Sequence, residues 1–465
     1  MTPRPRSRHR ELTDFLAFAL AIVFLVRTFV GEPYGVPTGS MAPTLLGAHK
    51  LIRCLACGKE FPVGVLEGSS PVVCRCPACE TTLDIADAPT KSGNRIIVLK
   101  GPPKPLRRWD VAVFKFIDEP RKLYVKRIVG LPGERLRIKA GEIEIWNESE
   151  QCWRIARKPA ELAKELAIPV WEQEYQKEGR SEAWSSTPKD SWLRDHDGWT
   201  SFGVRALSFR YPTPEGGSRL IGDDLAYNLG LTSTQAANAA SYWNKASDPV
   251  GDLHVAMTVQ SLGQWPKVHV EFHRGGRTYK LKFGDASINL VVDGHEVAEW
   301  SRHSAPQRFR LRCAYVDQRI LVWMDEKLVV EWMDDGPEID LYPLDYASRP
   351  GQSLSGDLQP ISIRSIGDSV KLTEVQVLRD LYHTQDVGLV DFLPDGSGRD
   401  LMGNVREFKR FRDGRMRTKE FTVGPYQYFA LGDNSEQSLD GRHWKHGHFV
   451  DERMIVGRVL FKLGR

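Results

Sequence analysis

The chain has 465 residues, which at roughly 150 residues per domain leaves room for about three domains. Hydrophobic residues are 41% and charged residues 27%, a balance that excludes a wholly disordered chain. The formal charge of +4, from 64 basic and 60 acidic residues, is too weak a bias to argue for a nucleic-acid partner. Residues 1–11 form a basic tail, with four arginines in the first ten positions. Residues 12–30 predict a transmembrane helix. Phe15 to Val26 is uninterrupted apolar sequence, and the flanking Asp14 and Arg27 lie where long side chains can reach the interface. Nineteen helical residues span roughly 28 Å, close to the apolar thickness of a bilayer. Lys and Arg are absent from Glu32 to His49, so the charge asymmetry puts the N-terminus inside a cytoplasmic (inner) membrane. The rest of a single-pass protein then lies on the outer face. No small-x-small cleavage site follows the apolar run, which reads as a retained anchor.

Residues 31–145 are of mixed character, with strand-like runs at Asn94–Leu99, Asp110–Phe116 and Arg135–Ile138. Near their start, Thr38-Gly39-Ser40-Met41 is a small-residue turn that presents one serine. Residues 50–82 interrupt the stretch with two C-x-x-C pairs, Cys54/Cys57 and Cys76/Cys79, separated by 18 residues. That spacing is the pattern of a zinc ribbon and predicts a structural zinc on four thiolates. Cys74 is then a spare thiol or an alternative ligand, and disulfides are the competing reading on an outer face. Lys126 sits in the apolar run Tyr124–Val129, just before a Gly-Leu-Pro-Gly turn.

Residues 146–190 are charged and helix-compatible (PAELAKELAIPVWEQEYQKE) and read as a surface connector. Residues 191–385 read as all-β. HVAMTVQ, KVHVEFH, YKLKF, INLVV, FRLRCAY, ILVWM and LVVEW alternate at period two, and Asp293-Gly294 supplies a hairpin turn. Such a run predicts an inserted β-sandwich, jelly-roll-like, with a general likeness to concanavalin and laminin-G folds. Eleven of the thirteen tryptophans lie between Trp146 and Trp332, and they read as core before they read as a sugar platform. The insert's ligand is unassigned. Residues 386–465 return to mixed character, with the polar loop Gly432–Arg442, a His443/His446/His448 cluster read as polar loop, and a final strand-like run Met454–Leu463.

Four blocks in order behind the apolar segment, VRTFVGEPYGVPTGSMAPTL, RRWDVAVFK, YVKRIVGLPGE and YFALGDNSEQSLDGRHW continuing to VGR, closely resemble bacterial signal peptidase I. The resemblance implies a mainly β protein with an antiparallel β catalytic core resting on the membrane. It implies Ser40 as nucleophile, Lys126 as general base and Ser438 as the serine that orients the lysine. Asp433, Asp440 and Arg442 match the polar residues that shape the site. Thr38 stands where the family usually has serine, with its hydroxyl toward the oxyanion, and Gly441 replaces a usual serine. The chemistry is coherent without the name. A serine hydroxyl needs a base, and a lysine is a base only when burial keeps it neutral. No Gly-x-Ser-x-Gly elbow surrounds Ser40.

The implied reaction is removal of signal peptides from exported preproteins through an acyl-enzyme, with no catalytic cofactor. Membrane lipid and the protein export machinery are the implied partners, and nucleic acid is not. Two other readings compete. An anchored binding module on an inactive peptidase core is opposed by the intact blocks. A self-cleaving Ser-Lys regulator is opposed by the transmembrane segment and the lack of a DNA-binding segment.

Overall fold

The computed structural model describes residues 8–25, 31–66, 68–99, 105–116, 119–176, 183–189, 191–195, 197–201, 203–212, 218–243, 248–263, 267–301, 306–335, 356–367, 369–384, 419–444 and 447–463. Short runs of β-branched and aromatic residues build its central element, a seven-stranded antiparallel sheet. Its order is Gly31–Gly35, Arg95–Leu99, Ile455–Leu463, Val111–Phe116, Glu119–Gly130, Gln427–Leu431, Val450–Asp451. Alternate residues of a strand face opposite sides. Ala112, Phe114, Ile128 and Ala430 enter one apolar cluster, while Val129, Phe429 and Leu431 enter another. Both faces are therefore covered, and a polar side chain in the middle strands has to find a partner.

A four-stranded antiparallel sheet leads outward from this one, in the order Cys152–Ile155, Glu142–Asn147, Arg135–Lys139, Glu420–Thr422. The chain leaves and returns on the adjacent strands Arg135–Lys139 and Glu420–Thr422. Between them stand two large antiparallel sheets, of eight and seven strands. One apolar cluster draws on both, from Trp171 to Val377, so they pack as a sandwich. Each run expected to be a strand between residues 253 and 333 is one. Asp293 (φ 49°) and Gly294 (φ 90°) make the tight turn after Ser287–Val292, both in the left-handed region that such hairpins need.

The stretch 146–190 differs from the expected surface connector. Among its described residues helix is confined to Ala160–Leu166 and the single 3-10 turn Gln173–Tyr175. Ile168–Glu172 pairs with Val370–Arg379, and Trp184–Thr187 pairs with Arg205–Phe209, so each adds a strand to one sandwich sheet. The cause is apolar content hidden among charges: Ile168, Trp171, Ala183 and Trp184 are all buried. The sandwich also sends out an arm. Ala226–Asn228, Gly230–Leu231, Ser233–Ala236 and Ala239–Trp243 leave its layers, and Gly230–Leu231 pairs with Val73–Arg75 in the cysteine-rich unit.

The N-terminal helix is Arg8–Leu25, with Leu12, Phe15, Leu16, Phe18 and Leu20 exposed. Among the described residues no helix is long and apolar enough to cross a membrane. Residues 26–30 of the expected span, and 386–418 of the last expected stretch, lie outside the described residues.

The two added strands generate a prediction. A fragment covering 190–384 lacks both, together with the Trp171 and Trp184 rings that pack on Trp199 and Phe209. It is expected to unfold in less urea than a fragment covering 158–384, by several kcal/mol for two lost buried tryptophans. Equal urea midpoints would show that the two strands are not part of the cooperative unit.

Candidate active site

Ser40 lies in a single 3-10 turn, Gly39–Met41, just after the edge strand Gly31–Gly35. Met41 and Leu45 anchor that turn in a cluster with Val36, Ile96, Val98 and Val113. Gly39 cannot be larger: a Cβ there would stand 2.1 Å from the ring of Tyr227. Lys126 comes from the long strand Glu119–Gly130, opposite Ala112. Its Nζ is 2.6 Å from Ser40 Oγ. Ser40 is 7% exposed and Lys126 3% exposed, so the pair is dry. Burial lowers the Lys126 pKa to about 8; Asp440 and Asp433 oppose this and Arg442 assists it. A shift of that size is about 3 kcal/mol against the charged amine.

The strand Gln427–Leu431 pairs beside Lys126 and delivers the loop that follows. Asp433 takes Arg127 in a two-pronged pair, Nε to Oδ1 at 2.7 Å and Nη2 to Oδ2 at 2.6 Å, and accepts the Thr44 hydroxyl at 2.5 Å. Burial would raise its pKa, and Arg127 more than offsets this, holding the carboxyl below its ordinary value. Asp440 is arranged likewise. Arg442 donates to it through Nε (2.8 Å) and Nη2 (2.7 Å), and the Gly432 N–H adds a third bond at 2.9 Å. Burial again opposes ionisation, and Arg442 keeps Asp440 well below the usual carboxylate range. Arg442 Nη1 also donates to Thr384 O and Ser435 Oγ.

Ser40, Lys126, Asp433, Ser438, Asp440 and Arg442 are all buried in this region. Ser438 packs against Gly432, close enough to help lower the Asp440 pKa, but its Oγ meets no partner in hydrogen-bonding geometry. Thr38 precedes the turn, is exposed, and leaves its side chain uncommitted to capping it. His443 is 3.9 Å from Asp440, and His446 lies outside the described residues. Sequence reasoning missed Arg127, Thr44, Asn434 and Asn228. Arg127 carried a signal, since an arginine in an apolar strand needs a buried carboxylate. Asn228 carried none.

The four cysteines form the second constellation. Each pair sits at the tip of a hairpin, His49–Arg53 with Glu60–Gly64, and Val73–Arg75 with Thr82–Asp84. The backbone repeats itself: Gly58 N–H donates to Cys54 O at 2.8 Å and Glu80 N–H to Cys76 O at 2.9 Å, with φ of 82° and 56° at those two residues. Lys50 Nζ joins the hairpins by donating to Pro71 O, Ile85 O and Ala86 O. The sulfurs of Cys54 and Cys79 are 3.5 Å apart and those of Cys57 and Cys76 3.6 Å, and all four lie within 4.8 Å of one another. A tetrahedral ion with bonds of about 2.3 Å needs sulfurs about 3.8 Å apart. The four thiols are free and can hold a metal, and Cys74 is not part of the group. Burial pushes the Cys74 thiol up to about 12. Glu142, Asp252 and Asp317 also converge, but Lys158 pairs with Asp317 and Arg274 with Asp252, filling the place a cation would take.

The Arg127–Asp433 pair carries a prediction that needs no assay of function. Asp433→Asn leaves a fully buried guanidinium without its counter-charge. The loss should be about 3–5 kcal/mol, read as a lowered urea midpoint. An unchanged midpoint would mean that the pair does not hold the loop.

Comparison with known proteins agrees with this geometry. The family model "Signal peptidase, peptidase S26" matches residues 9–190 and 367–463. Signal peptidase I of Buchnera aphidicola subsp. Baizongia pistaciae is 34% identical over 117 residues, 25% of this chain and 28% of that protein. Signal peptidase I of Pseudomonas aeruginosa is 34% identical over 119 residues, 25% of this chain and 31% of that protein. The matched part therefore spans less than a third of each relative's length. Among solved structures, a carbohydrate binding module from Bacillus subtilis is 10% identical and covers 43% of this chain and 97% of its own. Its TM-score of 0.26 is too low to bear on fold or ligand. With more than half of the chain matched, on both sides of the sandwich and across Ser40, Lys126 and the Gly432–Arg442 loop, the chain belongs to the signal peptidase family, peptidase S26.

Proposed function

We propose that this chain is a membrane-anchored serine endopeptidase of signal peptidase I type, removing signal peptides from exported preproteins. The observation that carries this reading is the buried 2.6 Å contact between Lys126 Nζ and Ser40 Oγ. As an ammonium, Lys126 donates to Ser40 and holds it idle. Once neutral, the amine accepts the hydroxyl proton while Oγ attacks the scissile carbonyl. The resulting Lys126 ammonium returns that proton to the leaving amine, which departs and leaves an ester on Ser40. Water, deprotonated by the same amine, then releases the acid. The Ser40 N–H and the Thr38 hydroxyl stabilise the oxyanion, Ser438 helps orient the amine, and Asp433, Asp440 and Arg442 shape the site around it. No cofactor takes part.

The exposed apolar side chains of Arg8–Leu25 support a single-pass anchor in the inner membrane over 12–30, N-terminus inside and catalytic part on the outer face. Leu99, Leu460, Phe461 and Leu463 are exposed on the two strands next to Gly31–Gly35, where the chain comes off that helix. An apolar sheet edge there suits contact with lipid and with substrates handed over by the export machinery. The sandwich, whose strands run from Ile168 to Arg379 and so begin before the expected boundary at 191, and the cysteine unit over 50–82 are insertions in the peptidase core. The second holds one structural zinc on Cys54, Cys57, Cys76 and Cys79.

Two predictions follow from these assignments. Cleavage of a model preprotein in detergent should fall by on the order of 10^4-fold or more in Ser40→Ala, and Lys126→Arg should be equally inactive because arginine keeps its proton. The wild-type rate should rise as pH climbs through about 8 and then level off, since the neutral amine is the active form. Substantial cleavage by Lys126→Arg with the fold intact would remove Lys126 as base. For the metal, elemental analysis of purified protein should give about one zinc per chain. Zinc-free protein carrying a Cys54 disulfide in its mass spectrum would refute the ribbon.

A further inference from the structure

The sandwich arm lies outside the residues that the family match covers, yet it touches the turn that carries the nucleophile. Tyr227 is its wedge. A Cβ placed on Gly39 or on Gly64 would stand 2.1 or 2.3 Å from the same ring carbon, so the ring fills the gap between two glycines. Tyr227 is buried, and its hydroxyl donates to Ala48 O at 2.8 Å, which fixes the residue that follows. Behind it the arm is tied to the cysteine-rich unit. Gly230 pairs with Cys74, and Arg75 lies over the Trp243 ring and donates to Trp243 O at 3.3 Å.

Asn228, held in this way, faces Asn434. The two amides exchange a reciprocal pair of hydrogen bonds, each 2.9 Å, and Asn228 Nδ2 also donates to Glu436 at 3.0 Å. Asn434 is wholly buried, and it spends its remaining donors on the nucleophile turn: Nδ2 to Gly39 O at 3.1 Å and its backbone N–H to Ser40 O at 3.1 Å. Gly39 O also accepts from Ala42 N–H at 3.0 Å. The Gly39 carbonyl and the Ser40 N–H belong to one planar peptide unit and point in opposite directions. Whatever pins Gly39 O therefore aims the Ser40 N–H.

We propose that Asn228, contributed by the sandwich arm, is a positioning residue for hydrolysis: it locks the Asn434 amide, which sets the Gly39–Ser40 peptide plane and so points the Ser40 N–H at the oxyanion. The inference rests on the peptidase reading of Ser40 and Lys126. Asn228 itself touches no reacting atom. The insertion is then a structural part of the active site.

The test uses the full chain. Asn228→Ala should lower kcat for a model preprotein about tenfold, less than the loss of a whole oxyanion donor, with KM within about twofold. The pH at which the rate rises should stay near that of the wild type, because Lys126 is untouched. Affinity for a peptide boronate, which forms a tetrahedral adduct on Ser40, should fall by about the same factor, while an uncleavable peptide of the same sequence binds unchanged. Asn434→Ala should lower kcat at least as much, and the double variant should be no worse than Asn434→Ala alone. Asn228→Leu keeps the volume without the amide and should behave like Asn228→Ala at wild-type urea stability. Any loss that tracks the unfolded fraction, appears only in KM, or adds fully to that of Asn434→Ala would overturn the proposal. A wild type that cleaves no preprotein would instead refute the peptidase reading, and boronate affinity would still judge Asn228.

Discussion

An amine can act as a base near neutral pH only if it is kept out of water and out of reach of unbalanced negative charge. Lys126 meets both conditions at once. The central sheet supplies dryness, because apolar clusters cover its two faces and leave the middle strands buried. The second condition is less obvious. Asp433 and Asp440 are near enough to stabilise the ammonium, and each pushes the Lys126 pKa back up. Each has its own arginine, Arg127 for Asp433 and Arg442 for Asp440, so the carboxylates hold the loop in place with much of their charge spoken for. In the proposed mechanism the ion pairs around Ser40 and Lys126 belong to the base as much as the lysine does.

The joint between the small sheet and the sandwich obeys the same physics with a different outcome. Lys158 lies between Asp317 and Asp380, and Asp252 pairs with Arg274. Lys158 is pushed well above its ordinary pKa: burial opposes the charge, and Asp317, Asp380 and Glu142 overcome it. Glu142 is likewise pushed well above its ordinary value, by burial first and then by Asp252 and Asp317, while Lys158 pulls it down. One buried lysine is thus neutral-prone and another firmly charged. What separates them is direct contact: Lys158 is ion-paired with Asp317 and Asp380, whereas Lys126 meets Ser40 and the carboxylates near it are paired with arginines.

Much of this was legible in the chain because the signals are local. Two C-x-x-C pairs need only their spacing. The strands of the sandwich need only alternation, and Ser40, Lys126 and the Gly432–Arg442 loop each sit in a short dense motif. The expected transmembrane span began in helix, but its last residues are not among those described. Longer-range determinants left no trace. Ile168–Glu172 and Trp184–Thr187 look like charged linker because their buried residues are spaced among acids and lysines, and only the sheets they join reveal them. His295–Ser301 escaped for a related reason: its inward face is only Ala298 and Trp300, both half-buried, too short an alternation to mark a strand. Tyr227 and Asn228 are an ordinary dipeptide until the fold brings them to Gly39 and Asn434.

The strand Ile455–Leu463 lies between Arg95–Leu99 and Val111–Phe116, which precede it by more than 300 residues. A ribosome making this chain releases both neighbours long before the piece that joins them. The sandwich strands lie between Ile168 and Arg379, so that unit can close while the catalytic sheet still has a gap in its middle. Pairings of such long sequence separation form late and slowly, because loop closure has to be met before any contact rewards it. The Ser40 turn and the Lys126 strand flank that gap, and both lean on neighbours that arrive last. In a nascent copy the two halves of the sheet, one behind the Ser40 turn and one carrying Lys126, are therefore joined only once Ile455–Leu463 is in place.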